Sequence, residues 1–235
     1  MEFQSWVAGH LTGGIGNRLF QHAAAAGLAE KWSVPLVFYV PECGPTNHGA
    51  FENIFKLFPT VPQITKAVSV ERLAEITKER CESLLKEYDL DTVEKRQNTW
   101  FLHVRLGDYK ILPHHQIDIN DYYTKAVKHI PEGARVLLFS DDIEPFGNFL
   151  QSFLQQMGIE PTPVFLKDEV ESLYVMSQCW GGAVVANSTF SWWGAYFAKR
   201  YHPSGYIAVY PSIWGKGLPV ATDIVPSWGI RIDNK

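Results

Sequence analysis

Cysteine, basic surplus and long apolar runs are all scarce in this sequence, and each shortage closes off a class of protein. The 235 residues hold three cysteines, Cys43, Cys81 and Cys179, far apart and with no CxxC pair. So sparse and odd a set argues against a disulfide framework and for reduced thiols in a reducing compartment. Lys plus Arg is 21 against 25 Asp plus Glu, a net charge of −4, whereas proteins that coat nucleic acid carry a basic excess or stripe. No nucleic-acid partner is therefore expected, although one local cationic pocket for a phosphate-bearing ligand is compatible with that balance. No apolar stretch approaches the roughly 18 residues that span a bilayer. The opening MEFQSWVAGHLTGGIGN also lacks a basic segment followed by the apolar run of a secretion signal. These absences predict a soluble, cytoplasmic chain with no transmembrane segment; an anchor removed beforehand would leave no trace.

Hydrophobic residues make up 46% and charged residues 20%, enough apolar material for one large α/β domain or two small lobes. Eight Trp and ten Tyr suit stacking on sugar rings or nucleobases, although any one of them more often fills a core. Along the chain, Ser5 to Leu11 reads as a strand, followed by the glycine turn 12–17 and a helix from Arg18 to Lys31. Leu19, Phe20, Ala23, Ala24, Gly27 and Leu28 recur at helical spacing and predict its buried face. With a second strand at Pro35 to Val40 this makes a βαβ unit, hence a parallel sheet. Pro41 to Pro62 is irregular with aromatics at Phe51, Phe55 and Phe58, and Val70 to Lys86 has helical spacing.

Polar residues Asp89 to Asn98 form the candidate boundary between an N-terminal lobe, 1–98, and a C-terminal lobe, 99–235. Beyond it, strands are predicted at Thr99–Val104, Arg135–Phe139, Pro163–Leu166, Gly182–Ala186 and Tyr206–Tyr210. Helices are predicted at Asp121–Ile130, Phe146–Met157, Glu169–Gln178 and Phe190–Lys199. The alternation gives the fold class, α/β.

Four places carry residue types suited to chemistry. In Gly13-Gly14-Ile15-Gly16-Asn17, the glycines let a backbone approach an anion or sugar closely. A dinucleotide fingerprint fails because Leu19 stands at its third glycine, and no GK[ST] of a P-loop follows; a structural tight turn explains the run equally well. In His103-Val104-Arg105-Leu106-Gly107-Asp108, alternation puts His103 and Arg105 on one face of a strand end. Arg105 can there grip a diphosphate with paired hydrogen bonds, or Asp108 pairs with it and the two hold the turn. Phe139-Ser140-Asp141-Asp142 suits a metal, acid–base work or a guanine edge, and also an ordinary helix cap. No further ligands at metal spacing accompany it, so no metal is expected. In Ala186-Asn187-Ser188-Thr189-Phe190, a strand feeds a helix whose first amides and hydroxyls form an anion cradle. A plain N-cap explains one of these residues but not the run. Asn187-Ser188-Thr189 also reads as a glycosylation acceptor, discounted because a strand-to-helix junction is poorly exposed.

In this order the motifs resemble the alpha-1,2-fucosyltransferase family. GGIGNRLFQ resembles its Gly-Gly-x-Gly-Asn-Gln opening and HVRLGDY its His-x-Arg-Arg-Gly-Asp-Tyr signature. FSDDIE resembles its Phe-Ser-Asp-Asp segment, ANSTFSWWGAYF its closing motif and DIVPSWGIRID its tail, so the likeness runs from about residue 9 to 232. Leu106 stands where the family has a second Arg, and Arg18 where it has Gln. The chain is short for the family before residue 99.

The resemblance implies two facing Rossmann-like lobes of the GT-B glycosyltransferase type, with a short N-terminal acceptor lobe. It implies an inverting, metal-independent transfer of fucose from GDP-fucose to a glycan hydroxyl, with no cofactor beyond that co-substrate. Arg105 would hold the β-phosphate and Asn17, with Gly14 and Gly16 in the same turn, would lie by the sugar. Ser188, Thr189 and the Phe190 amide, next to Asn187, would cradle the diphosphate, and His103 and one of Asp141 or Asp142 would contact the nucleoside. Asp108 reads as structural first and a base second. Two alternatives stay open: another GDP-sugar on the same scaffold, or a non-catalytic protein that binds nucleotide sugar or glycan.

Overall fold

Short apolar runs that alternate with helical stretches must stack as parallel strands, because a crossover helix returns each strand in the same direction. The computed structural model bears this out; it describes residues 7–39, 63–64, 77–141, 152, 154–156, 158–202, 204–220 and 223–234. The expected aromatic cluster at Phe51, Phe55 and Phe58, Asp142, Cys43, residues 70–76 of the helical stretch at 70–86 and most of the helix at 146–157 lie outside these residues. The chain divides into two compact units, Met1–Cys81 with Lys167–Ser172, and Glu82–Leu166 with Leu173–Lys235.

The first unit contains β1 (Val7–His10), α1 (Ile15–Trp32), β2 (Leu36–Tyr39) and β3 (Gln63–Ile64), the strands forming a parallel sheet in the order β1-β2-β3. This is the expected βαβ unit, with two corrections. The helix begins at Ile15 rather than Arg18, with Gly14 as its N-cap, so Gly16 and Asn17 belong to its first turn. Its buried stripe is Ile15, Arg18, Leu19, His22, Ala25 and Ala29, while Ala23, Ala24 and Gly27 face solvent and Leu28 is 42% exposed. A four-alanine run offers no hydrophobic contrast, so its periodicity could not point to the buried side. Here an arginine and a histidine carry the inward stripe. In the same unit, Arg80 makes a two-pronged pair with Glu171, Nε to Oε1 and Nη2 to Oε2 both at 2.7 Å.

The second unit runs α2 (Lys78–Glu87, begun in the first unit), α3 (Val93–Gln97), β4 (Thr99–Val104), α4 (Ile119–Ala126), β5 (Arg135–Ser140), β6 (Pro161–Pro163), α5 (Glu169–Ser177, also begun in the first unit), β7 (Gly182–Val184), α6 (Thr189–Tyr201), β8 (Ile207–Pro211) and β9 (Gly229–Ile232). Its six strands are all parallel, in the order β6-β5-β4-β7-β8-β9. Counted from β4 this is the doubly wound order 3-2-1-4-5-6, which reverses between β4 and β7.

Strand alternation sends Trp100, Leu102 and Val104 into one apolar layer with Tyr122, Tyr123 and Ala126 of α4. Phe101 goes into the opposite layer with Val175 and Met176 of α5 and Ala195 and Ala198 of α6. Both faces are covered, as an all-parallel sheet requires.

Three local outcomes depart from expectation. The strand predicted at Pro163–Leu166 forms at Pro161–Pro163, on the sheet edge, where prolines that lack an N–H are tolerated. Strand β9 was not foreseen; it is short and half-exposed, with only Ile230 and Ile232 packed inward. The polar stretch Asp89–Asn98 holds α3, capped by the Thr92 side chain, which accepts from the Lys95 N–H at 3.3 Å; it lies in the second unit.

Candidate functional site

In doubly wound sheets the crevice opens beyond the strands' carboxyl ends, where the order reverses. Here that point lies between β4 and β7. The chain leaving β4 is Arg105-Leu106-Gly107-Asp108-Tyr109, the chain leaving β7 runs through Asn187 into α6, and β5 ends next to Asp141. Three of the four motifs thus meet at one end of one sheet. Tyrosines on α4 set those strand ends. The Tyr123 hydroxyl donates to His103 O at 2.7 Å, and that of Tyr122 lies 2.6 Å from Val185 O and 3.0 Å from Val209 O.

Arg105 is held by two carboxylates. Its Nη2 meets Asp108 Oδ1 at 2.7 Å and its Nη1 meets Asp141 Oδ2 at 2.9 Å. The expected pairing with Asp108 is present, and Asp141 joins it. Asp141 Oδ1 also accepts the Leu106 N–H at 2.8 Å, so this carboxylate fastens the end of β5 to the turn after β4. A nucleoside contact was expected of Asp141 or Asp142; Asp141 is engaged in holding Arg105 and the turn, and Asp142 lies outside the described residues. A guanidinium carries more N–H donors than two such contacts use, and the Arg105 side chain is 27% exposed. It can therefore take a further oxyanion.

His103 is 4% exposed, and among the described residues its Nδ1 has no hydrogen-bond partner. Its ring meets that of Phe190 at 5.7 Å between centroids, edge to face. Burial, and secondarily the charge of Arg105, lowers its pKa from 6.5 to about 3, so the imidazole is neutral. The unfolded chain binds that proton below pH 6.5, where the folded chain does not, so acid favours unfolding. Stability should fall as pH drops from 6.5 towards 3. Thermal melts of His103→Gln across that range should show a shallower slope than the parent chain; equal slopes would remove His103 from the account.

At α6, Ser188 is the N-cap and its Oγ accepts the Phe190 N–H at 3.3 Å. The ordinary cap is therefore present, and it occupies the amide expected to face a phosphate. Thr189 opens the helix and is half-buried. Asn187 is buried, and its Nδ2 donates to His115 O at 2.8 Å and Trp214 O at 2.9 Å. Its amide nitrogen ties two loops together, and its burial accords with discounting it as a glycosylation acceptor.

Leu106 is 7% exposed and packs with Val104, Tyr122, Tyr123 and Leu138. The position where the resembling family has a second Arg thus points into the core, opposite the face of His103 and Arg105. Leu106→Arg should bury an uncompensated charge and lower stability by about 3 kcal/mol, read by denaturant unfolding. An unchanged midpoint would mean the side chain finds a way out of the core.

In the first unit, Gly14 caps α1 and Gly16 and Asn17 lie in its first turn, Asn17 exposed. Gly13 is left-handed at φ 76°, and a Cβ there would sit 2.9 Å from Asn17 Nδ2, so this glycine allows Asn17 its place. Among the described residues no group of His, Cys, Asp and Glu is placed to hold a metal ion, and no helix is long and apolar enough to cross a membrane. Cys179 is buried and forms no disulfide among the described residues.

Two neighbours of Arg105 were missed. Gly107 has no room for a side chain, since a Cβ would lie 2.2 Å from Asp141 Oδ2. Tyr109 has its ring 5.4 Å from the Arg105 guanidinium carbon. Both stand inside HVRLGDY, so their adjacency to Arg105 was the available signal.

Comparison with known proteins gives the same family. The model described as Glycosyl transferase family 11 matches residues 65–210. This chain belongs to glycosyl transferase family 11. It is 34% identical over 142 residues to the O-antigen biosynthesis glycosyltransferase WbnK of Escherichia coli, over 56% of this chain and 44% of that protein. It is 29% identical over 133 residues to an alpha-1,2-colitosyltransferase of Escherichia coli, over 54% of this chain and 44% of that one. The chain thus spans less than half the length of these curated family relatives. Among solved structures, the fucosyltransferase NodZ from Bradyrhizobium aligns with a TM-score of 0.47 at 11% identity, over 81% of this chain and 92% of that one. The family match takes in β4 to β8, and so includes Arg105, Asp141 and the start of α6.

Proposed function

We propose that this chain is an inverting, metal-independent glycosyltransferase that moves fucose from GDP-fucose to a hydroxyl of an acceptor glycan, forming an alpha-1,2 linkage. The supporting observation is Arg105, with N–H donors to spare, just past the end of β4 at the sheet's switch point, where the chain leaving β7 enters α6. The C1–O bond to the β-phosphate breaks and GDP departs with the electron pair. The acceptor oxygen bonds to C1 from the opposite face, and its proton passes to solvent water. A cation fixed at the departing phosphate stabilises charge that grows only in the transition state.

Arg105, Asp108 and Asp141 carry a summed formal charge of −1, so a diphosphate gains more from Arg105 once one carboxylate swings away. Asp141 is also held by the Leu106 N–H, whereas Asp108 has its side-chain contact with Arg105 and is more exposed, 35% against 22%. Asp108 is the one to yield. His103 and Asp142 would then meet the nucleoside. By the same reading Gly14, Gly16 and Asn17 would lie by the sugar, and the fold would be of the GT-B type.

The test is GDP release measured with GDP-fucose and a panel of acceptor sugars. Release that needs both donor and acceptor supports the proposal; none with any donor would favour a binding protein. A relative named as an alpha-1,2-colitosyltransferase gives the second reading its weight, another GDP-sugar on this scaffold, which a donor panel decides. Adding a chelator should leave the rate unchanged, and a clear loss would bring a metal into the mechanism.

A further inference from the structure

Tyr109 has no role in the account so far, yet it touches both halves of the site. Its hydroxyl donates to Asn187 O at 3.1 Å, on the residue just before the Ser188 cap of α6. Its ring lies 5.4 Å from the Arg105 guanidinium carbon and stacks on the His115 imidazole, centroids 4.4 Å apart at 7°. The carbonyl of His115 in turn accepts from Asn187 Nδ2 at 2.8 Å. Arg105, Tyr109, His115 and Asn187 thus form one connected group in the segments that follow β4 and β7. Burial raises the phenol pKa above its ordinary 10.0, so the hydroxyl stays a donor at any working pH.

We propose that Tyr109 is a positioning residue that sets the Arg105 guanidinium against the start of α6, so that both meet the same diphosphate. This rests on the donor reading above. The carboxylates of Asp108 and Asp141 hold two nitrogens of the guanidinium and would, unopposed, draw it wholly to themselves. The aromatic ring offers a competing surface for the cation, and the hydroxyl bond fixes that ring to Asn187, the residue before the N-cap of α6. The flexible arginine is thereby ordered before the donor arrives, which spares that cost on binding.

The role is tested by titration calorimetry of the full chain with GDP, comparing Tyr109→Phe in the parent and in an Arg105→Lys background. Removing one hydrogen bond should weaken GDP binding by about fivefold in the parent. If Tyr109 acts through Arg105, the loss in the Arg105→Lys background should be under about twofold. Equal losses in both backgrounds, or none in the parent, would overturn the proposal, because a merely structural tyrosine is indifferent to its neighbour. Should the parent chain fail to bind GDP, the donor reading falls. The positioning claim is then read from ¹⁵N relaxation of the Arg105 Nε, ordered in the parent and mobile in Tyr109→Phe; equal order in both would sink it.

Discussion

Arg105→Ala should lower transfer from GDP-fucose by roughly 10²- to 10³-fold, the scale of losing one preorganised group that meets transition-state charge, while the fold survives. The side chain is 27% exposed and its pairs with Asp108 and Asp141 are partly open to solvent. Removing it should therefore cost about 1 kcal/mol of stability or less. The checks are GDP release in the presence of acceptor and a thermal melt of the same preparation. Full activity would take Arg105 out of the mechanism. A collapse of the melt would show that the arginine serves the fold.

Gly107→Ala should cost both stability and turnover. Its Cβ would fall 2.2 Å from Asp141 Oδ2 and 3.1 Å from Asp141 Cγ. The carboxylate cannot swing aside freely, because the Leu106 N–H and Arg105 Nη1 hold it at 2.8 and 2.9 Å. Either those contacts break or the turn moves, and Arg105 moves with it. A loss of about 2 kcal/mol is expected from overpacking, with turnover down on the order of 10²-fold from a displaced catalytic group. Adding Asp141→Ala to Gly107→Ala should recover stability, since the clashing carboxylate is gone, but not activity. Recovery of both would mean that Asp141 does not orient Arg105.

Much of the sheet was legible from local pattern. Thr99–Val104 was located to the residue, and Arg135, Gly182 and Glu169 were recognised as element starts. Apolar runs bounded by turns or polar segments encode such elements within a few neighbours. Legibility failed where the signal was weak or lay far along the chain. The alanines of α1 gave no contrast, so Arg18 and His22 were missed as inward residues. Strand β9 has only two packed isoleucines. The partner of Asp141 lies 35 residues away at Leu106, and that of Asn187 lies 72 away at His115. No local period records either contact.

By itself, the order of residues determined the α/β class, the family and the segments that carry chemistry, since each depends on short-range periodicity or contiguous motifs. The tertiary structure decided which way those side chains face. It turned Leu106 into the core, set Asp141 on Arg105 and used the Asn187 amide as a tie between loops. Those outcomes depend on which distant surfaces cover a residue once the sheet has assembled, because burial and hydrogen-bond partners are properties of the packed chain.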